Sequence, residues 1–99
     1  MTKLVKTKSV TQVYYNGNII AELSRNYILI RPHLYDKSAR MFCKLISFFT
    51  FNDSFNPCNI SLIGDNYVVT DSRNSFQRNC KAEFTPENEG QVQVYRAKF

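Results

Sequence analysis

The chain has 99 residues and a formal net charge of +5 at pH 7, and 43% of its residues are hydrophobic. This length accommodates one domain, residues 1–99, with one modest core, and the hydrophobic content argues against a disordered chain. Residues 1–50 hold eight basic and two acidic side chains, whereas residues 51–99 hold five basic and six acidic ones. The asymmetry predicts that the N-terminal half attracts polyanions while the rest is nearly neutral.

The basic segment 1–8 is predicted to be a flexible N-terminus. No apolar stretch follows it, so nothing indicates a signal peptide. The longest uninterrupted apolar run, Tyr27–Ile30, is far too short to span a membrane. We therefore expect an intracellular protein with no membrane partner.

A β-hairpin is the first element predicted along the chain. Residues 10–15 and 19–23 are rich in β-branched and aromatic side chains, and they flank Asn16-Gly17. This dipeptide tolerates the positive φ angles of a type I′ turn, which makes it the strongest local signal for a hairpin. A third strand over residues 27–31 follows, and Pro32 ends it because proline has no N–H to donate to the ladder.

One helix is predicted next, from Asp36 or Lys37 to Phe51, with Asp36 or Ser38 as its N-cap. At 100° per residue its basic side chains gather in one narrow arc. Most of the remaining surface is apolar and includes Met41, and four of its side chains are predicted to be buried: Phe42, Leu45, Ile46 and Phe49. So broad an apolar surface predicts that the helix is either wrapped by a curved sheet or contacts a partner.

The second half is predicted to return to β-structure. Residues 59–63 and 67–71 flank a turn at residues 64–66, a strand covers residues 78–85, and a turn at residues 86–90 leads into a last strand over residues 92–98. The fold class expected is therefore α+β, with antiparallel strands, three and then about four, around one central helix.

The order of these elements over roughly residues 9–71 resembles that of an OB-type barrel. In that fold the helix closes one end of the barrel, and the face of strands 2 and 3 binds single-stranded nucleic acid or sugar. The resemblance lies in the order of elements alone, without a sequence motif. An open antiparallel sheet with one packed helix fits the same order and is the architecture we prefer.

Signatures of catalysis and of metal binding are missing from the sequence. The three cysteines, Cys43, Cys58 and Cys80, form no C-x-x-C pair, and they are expected to be thiols in a reducing compartment. A Cys₃His site with His33 is arithmetically possible, but structural zinc ligands normally come in close pairs. With one histidine, no phosphate-binding glycine loop and no nucleophile motif, the chain is expected to be neither an enzyme nor a cofactor-binding protein.

Basic residues interleaved with tyrosines favour a non-catalytic protein that contacts a nucleic-acid backbone. Cations neutralise phosphates, and aromatic rings stack on unpaired bases. The competing interpretation is an ordinary solvated helix face beside tyrosines that are simply good β formers. The candidate nucleic-acid-binding residues are Lys6, Lys8, Tyr15, Tyr27, Arg31, His33, Lys37, Arg40 and Lys44.

The alternative function is a protein–protein interaction module or inhibitor, with Phe48 and Phe51 at the margin of the helix as its interface and a homodimer as one form. Aromatic side chains dominate the energetics of protein interfaces, and the apolar side of helix 37–51 exceeds what one sheet normally covers. The small size and the lack of enzyme motifs suit an accessory protein of a virus or mobile element, acting in the host cytoplasm in the viral case.

Overall fold

The computed structural model describes residues 1–24, 26–49, 58–71 and 80–98. Over these residues the chain forms nine strands, one short 3-10 helix and one α-helix. The elements in chain order are β1 Thr2–Lys6, β2 Val10–Tyr15, β3 Asn18–Ser24, β4 Tyr27–Ile30, the 3-10 helix Pro32–Leu34, α1 Ala39–Phe49, β5 Cys58–Ile63, β6 Asn66–Asp71, β7 Cys80–Glu83, β8 Thr85–Glu89 and β9 Val92–Lys98.

The strands form two antiparallel sheets. A six-stranded sheet has the order β1-β2-β3-β4-β9-β8, and a three-stranded sheet has the order β5-β6-β7. This arrangement confirms the predicted α+β class with antiparallel strands around one helix. The described strands lie in two sheets, where the preferred architecture had one open sheet, and the strand order of neither sheet closes it into a barrel.

The turn chemistry that predicted the two hairpins is present. Asn16 and Gly17 have φ angles of 49° and 83°, as the two central residues of a type I′ turn require. Gly64 has a φ angle of 61° at the start of the turn between β5 and β6, a conformation that glycine adopts readily because it has no Cβ. Both predicted hairpins therefore form, and the first has a register shift between Val13 and Tyr14.

Two strands differ from the prediction. The N-terminal segment forms β1, which pairs along its whole length with β2, and Leu4 packs against the core. The predicted strand over residues 78–85 is divided between β7 and the edge strand β8, which lie in different sheets. Most of the predicted turn at residues 86–90 belongs to β8, and the chain reverses at Gly90. An edge strand accommodates Pro86 because it has ladder partners on one side only.

The hydrophobic core lies among α1, the inner face of the six-stranded sheet and the three-stranded sheet. The predicted burial of Phe42 and Ile46 is confirmed, since they are 1% and 0% exposed, and Leu45 is half-buried against the core. The Phe49 side chain, also predicted to be buried, lies outside the described residues. A chain of ring contacts runs through this core, with centroids 4.7 to 6.3 Å apart, in the order Tyr15, Tyr35, Phe42, Tyr67, Phe84.

Burial determines the chemistry of Cys43. Desolvation raises the pKa of its thiol from 9.0 to about 11, so the native state keeps the proton at pH values where the unfolded chain has released it. When folding raises the pKa of an acid such as a thiol, the folded state is favoured less and less as pH rises above the pKa of the unfolded chain. The free energy of unfolding should therefore decline from pH 9 upwards.

We expect native Cys43 to react slowly with iodoacetamide at pH 8 and to become reactive in denaturant. The measurement uses a Cys58→Ser/Cys80→Ser background, in which Cys43 is the one thiol. Cys43→Ala in this background should lessen the alkaline decline in stability. Equal labelling rates of native and unfolded protein would contradict the buried, protonated thiol.

Candidate nucleic-acid interface

Helix α1 begins at Ala39, later than the predicted start at Asp36 or Lys37. The Met41 N–H donates to Oγ of Ser38 at 3.3 Å, so Ser38 is the N-cap. The Asp36 carboxylate is used elsewhere, because it accepts a hydrogen bond of 2.7 Å from the Tyr15 hydroxyl. Lys37 therefore precedes the helix and does not lie in its first turn.

Four exposed residues of α1 form one stripe, called here the helix stripe: Arg40, Met41, Lys44 and Phe48. At 3.6 residues per turn they fall within an arc of about 100°. Phe48 is 77% exposed and Met41 is 50% exposed, while the opposite side of α1 is buried in the core. The helix contains no acidic residue, so the stripe is both cationic and partly apolar.

Contacts on the buried side of α1 fix the helix so that the helix stripe faces outward. The Ile60 N–H of β5 donates to Oγ of Ser47 at 2.8 Å, which ties the last turns of the helix to the three-stranded sheet. Near its first turns, the Phe42 ring packs against Tyr35 with centroids 5.4 Å apart. Because both halves of the helix are anchored, the stripe lies on a fixed element of the fold and not on a loop.

Arg31 is held by two carboxylates. Its Nε and Nη2 donate to Glu89 at 2.9 and 3.0 Å, and its Nη1 lies 3.7 Å from Glu22. These partners hold the pKa of the Arg31 guanidinium above its ordinary value and that of the Glu89 carboxyl below it. Only 15% of the Arg31 side chain is exposed, so this cation serves the fold and is poorly placed for a phosphate.

The two predicted stacking residues also have internal partners. The Tyr15 ring packs edge-on against Tyr35 with centroids 4.7 Å apart, and its hydrogen bond to Asp36 raises the pKa of the Tyr15 hydroxyl. The Arg96 guanidinium lies 5.3 Å from the centre of the Tyr27 ring, and its Nε donates to Glu87 at 3.1 Å. Both rings are half-buried.

The structure separates the remaining predicted cations into two groups. His33 and Lys37 are exposed in or just after the 3-10 helix, and they lead directly into the helix stripe. Lys37 follows Asp36, which contacts Tyr15 at the end of β2, whereas Lys6 and Lys8 are exposed near the start of β2. The length of β2 therefore separates the two groups by about 20 Å. Of the two predicted interface aromatics, Phe48 belongs to the helix stripe and Phe51 lies outside the described residues.

Sequence reasoning missed two features of this surface. Met41 was part of the predicted apolar face, but it is half-exposed beside the cations. The carboxylates that engage Arg31 were also missed, because Glu89 lies 58 residues away along the chain. No local pattern reveals such a partner.

A cleft of about 550 Å³ lies between the β5–β6 turn and the inner face of β8 and β9. Tyr67, Tyr95, Gln93 and Asp65 line it, and none of the described residues that line it is basic. This cleft is therefore unsuited to a phosphate. The described residues also contain no group of three or more potential metal ligands.

In the part of the chain that the structure describes, no helix is long and apolar enough to cross a membrane. Comparison with models of protein families, with curated proteins and with solved structures finds no match for the chain.

Proposed function

We propose that the protein binds the phosphate backbone of a nucleic acid through the helix stripe, without catalysis. One observation carries this proposal: Arg40 and Lys44 are exposed one helical turn apart, and neither forms an ion pair with a described residue. Lys37 adds a third cation just before the helix, with His33 close by in the sequence. Exposed cations on a rigid helix match a repeating anion such as a phosphate backbone.

The other predicted site residues have different roles in this proposal. Lys6 and Lys8 belong to a second basic group at the far end of the sheet, which a longer nucleic acid could reach. Arg31, Tyr15 and Tyr27 support the fold through Glu89, Asp36 and Arg96, and we assign them no direct contact. The primary contacts are therefore Lys37, Arg40 and Lys44.

Arg40→Ala with Lys44→Ala should weaken binding and flatten its dependence on salt. Each neutralised phosphate contributes about 0.7–0.9 to the slope of log affinity against log salt concentration, so the double variant should lose about 1.4–1.8. The measurement is fluorescence anisotropy with a labelled oligonucleotide between about 50 and 200 mM salt. Both residues are exposed, so circular dichroism should show an unchanged fold.

Lys3→Ala with Lys98→Ala is the matched control. It removes the same charge from exposed residues on the six-stranded sheet. Their strand neighbours Leu4 and Ala97 face the core that α1 packs in, so Lys3 and Lys98 point to the opposite face. The proposal requires the control to keep nearly the wild-type slope. If both double variants bind alike, charge alone drives binding and the helix stripe is not the site; if the wild type fails to bind at low salt, the proposed function is wrong.

A protein partner is the second candidate, and the exposure of Phe48 and Met41 favours it. Apolar side chains of this size on a surface are typical of interfaces, where aromatic residues contribute most of the binding energy. A homodimer formed through the helix stripe would gain mass with concentration in light scattering, and Phe48→Ser would abolish that gain. A mass that stays monomeric at every concentration removes the homodimer from this candidate.

A further inference from the structure

Phe48 is the most exposed aromatic side chain among the described residues, and its position is specific. It lies one turn beyond Lys44 and two turns beyond Arg40, so these three residues follow one another along the same side of the helix, each rotated by about 40° from the one before. At 1.5 Å per residue each step of four residues advances about 6 Å. One step thus covers between one and two nucleotides of a strand, whose rise in duplex DNA is about 3.4 Å.

We infer that the nucleic acid on the helix stripe is single-stranded, with Phe48 stacking on an unpaired base while Arg40 and Lys44 contact neighbouring phosphates. This inference rests on the proposed function and names its substrate class. Met41 lies one turn before Lys44 and extends the apolar contact on the same side of the helix. The stripe then supplies the two components of single-strand binding, a cationic track and an aromatic platform.

A duplex offers no base face to the exposed ring. In double-stranded DNA the base faces are covered by stacking, and a helix that contacts only the backbone uses cations and polar groups. An exposed phenylalanine gains nothing from phosphates, and it costs solubility on a free protein. An unpaired base offers a π-face of matching size, which removes the ring from water.

An acidic protein would share the charge complementarity but not the dependence on a ring. A protein pocket that receives Phe48 responds mainly to apolar volume, so leucine retains part of the contact. Base stacking requires a flat π-surface, so leucine should lose most of it. Phe48→Leu therefore separates the two kinds of partner.

The experiment measures anisotropy with a fluorescein-labelled single strand of about 12 nucleotides, within the range of site sizes of single-strand binders, and with the duplex of the same sequence. Poly-L-glutamate serves as a competitor that carries charge without bases. The variants are Phe48→Ala, Phe48→Leu and, as a matched control, Ile63→Ala. Ile63 is an exposed aliphatic residue at the last position of β5, next to the β5–β6 turn and beyond Ile60, where β5 contacts the last turns of α1.

Wild type should bind the single strand more tightly than the duplex. Phe48→Ala and Phe48→Leu should each weaken single-strand binding about 5-fold to 150-fold, the range that corresponds to stacking on one base, and should leave duplex binding unchanged. The salt slope should stay the same in both variants, because no phosphate contact is lost. Ile63→Ala should bind like the wild type.

Each other result overturns the inference in a distinguishable way. Equal binding of single strand and duplex, with Phe48→Leu neutral, keeps the proposed function and rejects single-strand recognition. Competition by poly-L-glutamate as strong as by the unlabelled single strand shows a generic polyanion surface and also rejects it. Failure of the wild type to bind either nucleic acid rejects the proposed function itself.

Discussion

Replacing Phe42 by alanine should lower the free energy of unfolding by about 3–5 kcal/mol. Phe42 is 1% exposed, and its ring lies between Tyr35 and Tyr67, with centroids 5.4 and 6.3 Å away. Tyr35 contacts β2 through Tyr15, whereas Tyr67 belongs to the three-stranded sheet. The deletion leaves a cavity where α1 joins both sheets, so relaxation of one side cannot fill it. Denaturant unfolding followed by circular dichroism measures the loss.

Met41→Ala is the control for this prediction. Met41 is the neighbour of Phe42 in α1 but is 50% exposed, so its truncation should change stability by no more than about 0.5–1 kcal/mol. Small domains have only about 5–15 kcal/mol of stability, so Phe42→Leu provides a milder variant if the alanine protein does not fold. Equal losses for Phe42→Ala and Met41→Ala would contradict the position of the core.

Elements with strong local signals were predictable from the sequence. Asn16-Gly17 and Gly64 encode their turns through positive φ angles, and the strands on either side form as expected. The apolar period of α1 likewise identified the buried side with Phe42 and Ile46. These predictions succeeded because turn chemistry and helical periodicity depend on residues close together in the chain.

Elements decided by distant contacts were not predictable. β1 is short, and it forms because β2 presents an open edge with which it pairs. β8 contains Pro86 and two glutamates, a composition typical of a turn, yet it is stabilised by pairing with β9. The start of α1 moved because Tyr15, 21 residues away, engages Asp36. In each case a tertiary partner outweighed local propensity.

The same division applies to the candidate site. Arg40 and Lys44 were predictable as exposed because their angular positions lie opposite the buried side of the helix. In the sequence Arg31 looks equally suited to a phosphate, since nothing near it in the chain neutralises it. Only the fold brings Glu89 against it. A basic residue in the sequence is therefore not always available on the surface to bind a phosphate.

This difference can be tested, because Arg31→Met should act on stability and not on binding. The substitution keeps the apolar stem but removes the bonds to Glu89 and the charge beside Glu22, and we expect it to cost about 1.5–3 kcal/mol at pH 7. Under conditions where Arg31→Met remains folded, the salt slope of its nucleic-acid binding should equal that of the wild type. A slope reduced by about one contact would instead place Arg31 among the phosphate ligands.

The stability difference between wild type and Arg31→Met should depend on pH in a defined direction. Arg31 lowers the pKa of Glu89 below its ordinary value of 4.5, so this carboxylate contributes stability above pH 4.5 that is lost as pH falls through the lowered value. In Arg31→Met the pKa of Glu89 returns towards 4.5, so protonation of Glu89 at acid pH no longer lowers the stability of the variant. The stability difference between wild type and variant should therefore be largest near neutral pH and shrink below pH 4.5, as urea unfolding at several pH values would measure. A difference that stays constant down to acid pH would show that Arg31 stabilises the fold by packing of its stem and not by its charge.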